Sequence, residues 1–348
     1  MNALSPSRTL RNVADLVDAG IVTPDRFSEL ERVASRYAVA ISPVMAELIG
    51  NDNLHDPIAR QFVPDAAELV STETERADPI GDKVHEVVPG LIHRYPDRAL
   101  LKLASICAVY CRFCFRREMV GPGKQALTAQ QLDGAVDYIV AHPEIWEVIL
   151  TGGDPLVLSA RRLGEVVRRI AAIEHVKIVR VHTRLPVVAP ERITPALVRA
   201  LKAPGATTYL ALHANHPREL TPAVRAAIAR IVDAGIPMVS QSVLLRGVND
   251  DAATLGALMR AFVECRIKPY YLHHADLAPG TSHFRTTIGD GQALMRALRG
   301  RVSGLAQPTY VLDIPGGHGK VPAGPGYIDM CGEAGAMVED INGVKRAY

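Results

Sequence analysis

From Ala99 onward, short runs rich in β-branched and leucine residues alternate with stretches of helical period, and this alternation restricts the fold more than any other feature. Strand–helix alternation builds parallel sheets, and strands buried on both faces read as nearly continuous apolar runs. Candidate strands cover 100–105, 147–151, 177–182, 208–213, 238–244 and 269–274. Helices are opened by Thr128, Ser159, Thr194-Pro195, Thr221-Pro222 and Asp250, residues that suit N-caps, with proline at two of the first helical positions. Six such units predict an α/β fold, a partial (β/α)6 TIM-like barrel, with a doubly wound sheet as the competitor. Parallel α/β sheets place their sites at the carboxyl ends of strands. Cys107, the Thr151-Gly152-Gly153-Asp154 run, His213, Gln241 and Asp276 all fall in, at or just beyond such ends.

Three of the five cysteines, Cys107, Cys111 and Cys114, sit within eight residues in the spacing C-x3-C-x2-C. A 4Fe-4S cluster is normally held by four thiolates, so three leave one iron open to a small molecule. A zinc knuckle is the alternative, but zinc sites prefer four ligands and no fourth Cys or His follows at a short spacing. A second motif, Ile314-Pro315-Gly316-Gly317-His318-Gly319-Lys320, is a glycine-dense loop with one lysine. It lacks P-loop spacing, and its lysine reads either as a Schiff-base nucleophile or as a solvated turn residue. Arg94, Tyr95 and Arg98 lie just upstream of the first strand, where arginine forks suit a phosphate or a surface ion pair.

The rest of the chain mainly sets bounds. With 48% apolar and 22% charged residues it buries a core, and a net charge of +2 with no long basic block gives no reason to expect a nucleic-acid partner. No apolar window is long enough to span a membrane, and the N-terminus lacks a signal-peptide core, so a cytoplasmic protein is expected. Clustered cysteines fit a reducing compartment. We expect three regions: an N-terminal helical extension and linker over 1–83, the barrel over 84–325, and a C-terminal tail over 326–348. In the extension, Leu10, Val13, Leu16 and Val17 follow helical spacing, and Phe27, Leu30, Ala34 and Tyr37 mark the buried face of the next helix. The linker that follows has no period.

The runs HRYPDR, CAVYCRFCFRR, TGGDPL, LLRGVND, ADLAPGTSHFRT and LDIPGGHGK resemble those of the lysine 2,3-aminomutase family, radical S-adenosylmethionine (SAM) enzymes that also use pyridoxal phosphate (PLP). The resemblance runs from about Val84 to about Pro325 and implies a barrel of the radical SAM type. It implies a 4Fe-4S cluster on Cys107, Cys111 and Cys114, with SAM on the open iron. Lys320 would carry PLP, and Arg94, Tyr95 and Arg98 would hold its phosphate. Gly152, Gly153, Asp154, His213 and Gln241 would surround SAM. Arg116 would bind the substrate carboxylate, and Asp276 and Asp313 its distal ammonium. L-lysine and β-lysine are then the interconverted pair, with arginine or glutamate as other substrates. Glutamate is disfavoured, because the two aspartates would repel its side chain. An electron donor such as flavodoxin or ferredoxin and a homo-oligomer are also implied. Some lysine aminomutases carry a longer C-terminal region whose cysteine cluster binds zinc between subunits; with Cys331 isolated, that zinc site is not expected here, and the length is nearer that of short relatives serving elongation factor P.

Overall fold

The computed structural model describes residues 8–50, 55–124, 126–332 and 335–348. The first seven residues of the extension, and residues 51–54 of the linker, lie outside the described set. A ten-stranded sheet forms the body. Its strands are β1 (Glu86–Val88), β2 (Leu91–Tyr95), β3 (Arg98–Ala104), β4 (Glu147–Gly152), β5 (Ile178–Thr183), β6 (Thr207–His213), β7 (Met238–Val243), β8 (Ile267–His273), β9 (Thr309–Asp313) and β10 (Lys320–Pro322). Neighbours follow chain order throughout. Every pair from β3 to β9 is parallel, while β1, β2 and β10 are antiparallel margins.

That order decides between the two expected architectures. A doubly wound sheet reverses its strand order partway across. Here each strand pairs with the next in sequence, the single winding of an open barrel. The parallel strands number seven, one more than expected, because Thr309–Asp313 follows the helix Ile288–Leu298 and joins the sheet. Two glycines, Gly289 and Gly291, blunt the helical signal of that segment. A Cβ on Gly291 would lie 2.3 Å from the Tyr310 ring, so close packing against β9 excludes a side chain there.

The helices begin as their caps dictate. Thr128, Ser159, Thr194 and Thr221 each accept a backbone N–H of the first turn. The fifth cap is Asp251, one residue later than expected, and it accepts from Ala253 and Thr254. In the extension, helices cover Val13–Asp18, Phe27–Ala34 and Pro43–Leu48. Leu10 lies outside the first of these and bridges to Ile41 instead, and Phe27 is exposed while Val33 takes its buried place. A separate three-stranded antiparallel sheet (β11, Ile328–Met330; β12, Ala336–Glu339; β13, Lys345–Ala347) forms the C-terminal segment. No described helix is long and apolar enough to cross a membrane.

Candidate active site

All fifteen side chains and glycines singled out in the sequence line one cavity of about 800 Å³. Three groups of them define its chemistry: the thiols of the loop after β3, the amine of Lys320 at the start of β10, and the carboxylates of Asp276 and Asp313.

The thiol wall is shaped by close backbone contacts. Gly152 has φ +113° and a Cβ there would meet the Ala104 carbonyl at 2.4 Å, while one on Gly153 would meet the Ile106 carbonyl at 2.3 Å. Only glycine lets β4 approach the cysteine loop this closely. Asp154 lies behind it, accepting bonds from Thr183 Oγ1 at 2.7 Å, Arg184 N at 2.8 Å and Leu156 N at 3.0 Å. Burial pushes its pKa up, and the same burial raises Cys114 to about 11 and Cys107 well above the usual thiol range. His213 stacks on Phe113 with ring centroids 5.6 Å apart and accepts from Asn215 Nδ2 at 3.2 Å. Burial drives its pKa well down, so it is a neutral ring.

At the opposite group, the Lys320 amine donates to Asp313 and lies 3.1 Å from His273 Nδ1. Its backbone N–H donates to the Tyr95 hydroxyl at 2.8 Å, which ties β2 to β10. Burial disfavours the Asp313 carboxylate, but the His273 hydrogen bond and the Lys320 charge outweigh it and hold the pKa at about 2. Among the described residues Asp276 has no such hydrogen-bonding partner. Burial, reinforced by Asp313, raises it to about 7.

The arginines have protein partners too. Arg116 reaches Asp82 Oδ2 through Nε at 2.9 Å and Thr151 Oγ1 at 3.2 Å, and Arg94 donates to the Ile80 carbonyl at 2.6 Å and to Asp82 at 3.4 Å. Arg98 pairs with Asp97 at 2.9 Å and covers the Tyr95 ring at 4.1 Å. Arg94 and Tyr95 sit on β2 and Arg98 opens β3, so the three belong to one hairpin and not to a lead-in loop.

The sequence reading missed Asp82, His182 and His273. His182 projects from β5 into the cavity lining with Nε2 unpartnered, and burial keeps it neutral. Alternation along β5 and β8 marks the two histidine positions as inward-facing, the one signal that would have found them, whereas Asp82 precedes β1 and carries no such signal.

The pattern of the radical SAM superfamily matches residues 101–256, and that described as lysine-2,3-aminomutase matches residues 295–348. L-lysine 2,3-aminomutase of Acetoanaerobium sticklandii is 39% identical over 94% of this chain and 79% of its own length. The enzyme of that name from Clostridium subterminale is 40% identical over 89% of this chain and 74% of its own length. The chain belongs to the lysine 2,3-aminomutase family. That is a family of radical SAM isomerases, and membership implies a 4Fe-4S cluster and SAM. Glutamate 2,3-aminomutase of Clostridioides difficile is also a relative, 36% identical over 86% of this chain and 70% of its own, so membership leaves the substrate open.

The donor set fits the implied groups. Three thiols from one loop face one cavity, and among the described residues no three Cys, His, Asp or Glu side chains gather around a single-ion point. A cluster brings its own sulfides and spreads its ligands over several irons, so it asks for thiols and not for that convergence. Toward Lys320, Arg94 Nε and His182 Nε2 are buried in the cavity lining without partners among the described residues. Buried polar atoms without partners are uncommon, and a polar cofactor is one way to satisfy them.

Proposed function

We propose that the chain interconverts L-lysine and β-lysine as a radical SAM, PLP-dependent 2,3-aminomutase. The observation that carries this reading is a single cavity lined by a lysine amine, three clustered thiols, an arginine and two carboxylates. When bound, the cluster with SAM supplies a carbon radical, and PLP supplies an electron sink at the migrating nitrogen.

The protein's own residues handle binding and orientation. Lys320 is the attachment point for PLP, with Arg94, Tyr95 and Arg98 toward its phosphate. Cys107, Cys111 and Cys114 hold the cluster, and the glycine pair, Asp154, His213 and Gln241 border SAM. Arg116 pairs with the substrate carboxylate and Asp276 and Asp313 with its distal ammonium. Gripping both ends orients the reacting carbon, and a misplacement of about 1 Å can cost on the order of 10²-fold in rate. Asp276 favours lysine over glutamate: an ammonium lets this buried carboxylate ionise, whereas a carboxylate ligand would add repulsion.

An anaerobic assay with SAM, PLP and dithionite, offering lysine, arginine and glutamate in turn, tests the reading. β-Lysine is the expected product, and preferential turnover of glutamate or arginine would overturn the substrate assignment. Lys320→Ala should abolish the visible absorbance of bound PLP while iron content stays at the parent level; retained PLP absorbance would remove Lys320 from its role.

A further inference from the structure

We infer that Arg184 sets the reduction potential of the cluster through a hydrogen bond to Cys111. This rests on the proposed cluster site, and it concerns a residue outside the ligand set. Arg184 follows β5 directly and is 7% exposed. Its Nη1 donates to Cys111 Sγ at 2.9 Å, and its Nη2 donates to Glu219 Oε2 at 2.6 Å and to Gln61 Oε1 at 2.7 Å. The guanidinium carbon also lies over the Phe62 ring at 4.6 Å and over the Phe113 ring at 5.6 Å. Two rings and three acceptors from separate segments hold the fork in one orientation.

Glu219 is held just as firmly. It is fully buried, and its Oε1 accepts the backbone N–H groups of Asn215 and His216, both at 2.9 Å, and Gln61 Nε2 at 3.1 Å. The carboxylate therefore cannot follow the arginine away from the sulfur. An ion pair alone would be complete with Glu219, yet the arginine spends one nitrogen on the thiol. Hydrogen bonds to ligating sulfurs are among the controls on cluster potential. Reduction adds one negative charge to the cluster. A donated N–H and a fixed positive charge beside Cys111 stabilise that reduced form and make the potential less negative. Gln61 brings the N-terminal extension into this control, since it belongs to the single turn Ala59–Phe62.

The test is a dithionite redox titration of the anaerobically reconstituted protein, followed by electron paramagnetic resonance, with iron counted per chain. Arg184→Gln should titrate at a more negative potential than the parent, and Arg184→Lys, which keeps the charge but not the fork, should fall between them. Arg112→Lys, which alters the same loop without touching a sulfur, should leave the potential in place even if iron is held less tightly. Equal potentials for parent and both Arg184 variants overturn the inference. So does a shift in Arg112→Lys as large as that in Arg184→Gln, or failure of both soluble Arg184 variants to retain iron, since either makes the arginine a loop brace. A parent chain that takes up no iron removes the cluster site itself; a parent that forms the cluster while the variants titrate with it removes only this inference.

Discussion

Asp276 and Asp313 are the same residue type in one cavity with opposite titration behaviour. Asp313 is held charged by Lys320 and His273, while Asp276 is raised to about 7 by burial and by Asp313 itself. An unfolded aspartate titrates near ~3.9, so between about 4 and 7 the folded protein binds the extra proton. Stability therefore falls as pH rises through that window, and the loss is complete above pH 7. We predict that Asp276→Asn removes this slope in the cofactor-free protein. Its unfolding free energy should match the parent near pH 4 and exceed it at pH 8 by on the order of 2–4 kcal/mol. Urea denaturation at both pH values measures this, and equal midpoints at pH 8 would contradict it. The cost at pH 8 also gives the site a reason to take a cation. At this scale the sequence was informative about residue type and silent about pairing. Nothing near Arg116 announces Asp82, 34 residues away, and Asp313 beside Lys320 is visible only once β9 and β10 pair.

Elements read well where local chemistry defines them and poorly where a remote contact does. Thr and Ser caps located four crossover helices to the residue, because a cap and its N–H partners are three residues apart. The linker gave no such signal, yet it has a definite task. Just past its end, His85 Nε2 meets the Gly317 carbonyl at 2.9 Å, tying the chain there to the glycine loop that carries Lys320. Gly81 makes that approach possible: its φ is +68°, and a Cβ would lie 2.4 Å from Gly317 N. Gly81→Ala meets both a left-handed backbone and a backbone clash. It should lower stability by about 1–3 kcal/mol and weaken PLP retention on gel filtration. Parent-like melting and PLP retention would show that the linker and glycine loop separate without consequence.

Across the whole molecule, the extension proves to be part of the site's foundation. Its backbone takes up the cysteine loop directly: Tyr110 N donates to the Ala40 carbonyl at 3.1 Å and Arg112 N to the Gln61 carbonyl at 2.8 Å. Beneath the loop, fully buried Glu68 accepts from Arg112 Nε at 2.9 Å and from Arg117 Nη2. Arg117 in turn donates to the Gly280 carbonyl at 3.1 Å, beyond β8. One carboxylate thus joins the extension, the thiol loop and the far side of the barrel mouth. Burial opposes its charge, but the two arginines outweigh that and hold its pKa below the usual range. Removing one member of a buried charge network leaves the others unpaired and costs about 3–5 kcal/mol. Glu68→Gln should lower the unfolding free energy by an amount of that order at pH 7. A glutamate with a depressed pKa stabilises only above its unfolded value, near ~4.3, and that contribution is lost as pH falls. The gap between parent and variant should therefore hold from pH 6 to 8 and narrow below about pH 4. Iron should wash out of the variant faster than out of the parent, while PLP absorbance at the proposed attachment point Lys320, outside the Glu68 network, persists. Simultaneous loss of both cofactors would mean that Glu68 supports the barrel as a whole; unchanged iron retention would detach the extension from the thiol loop.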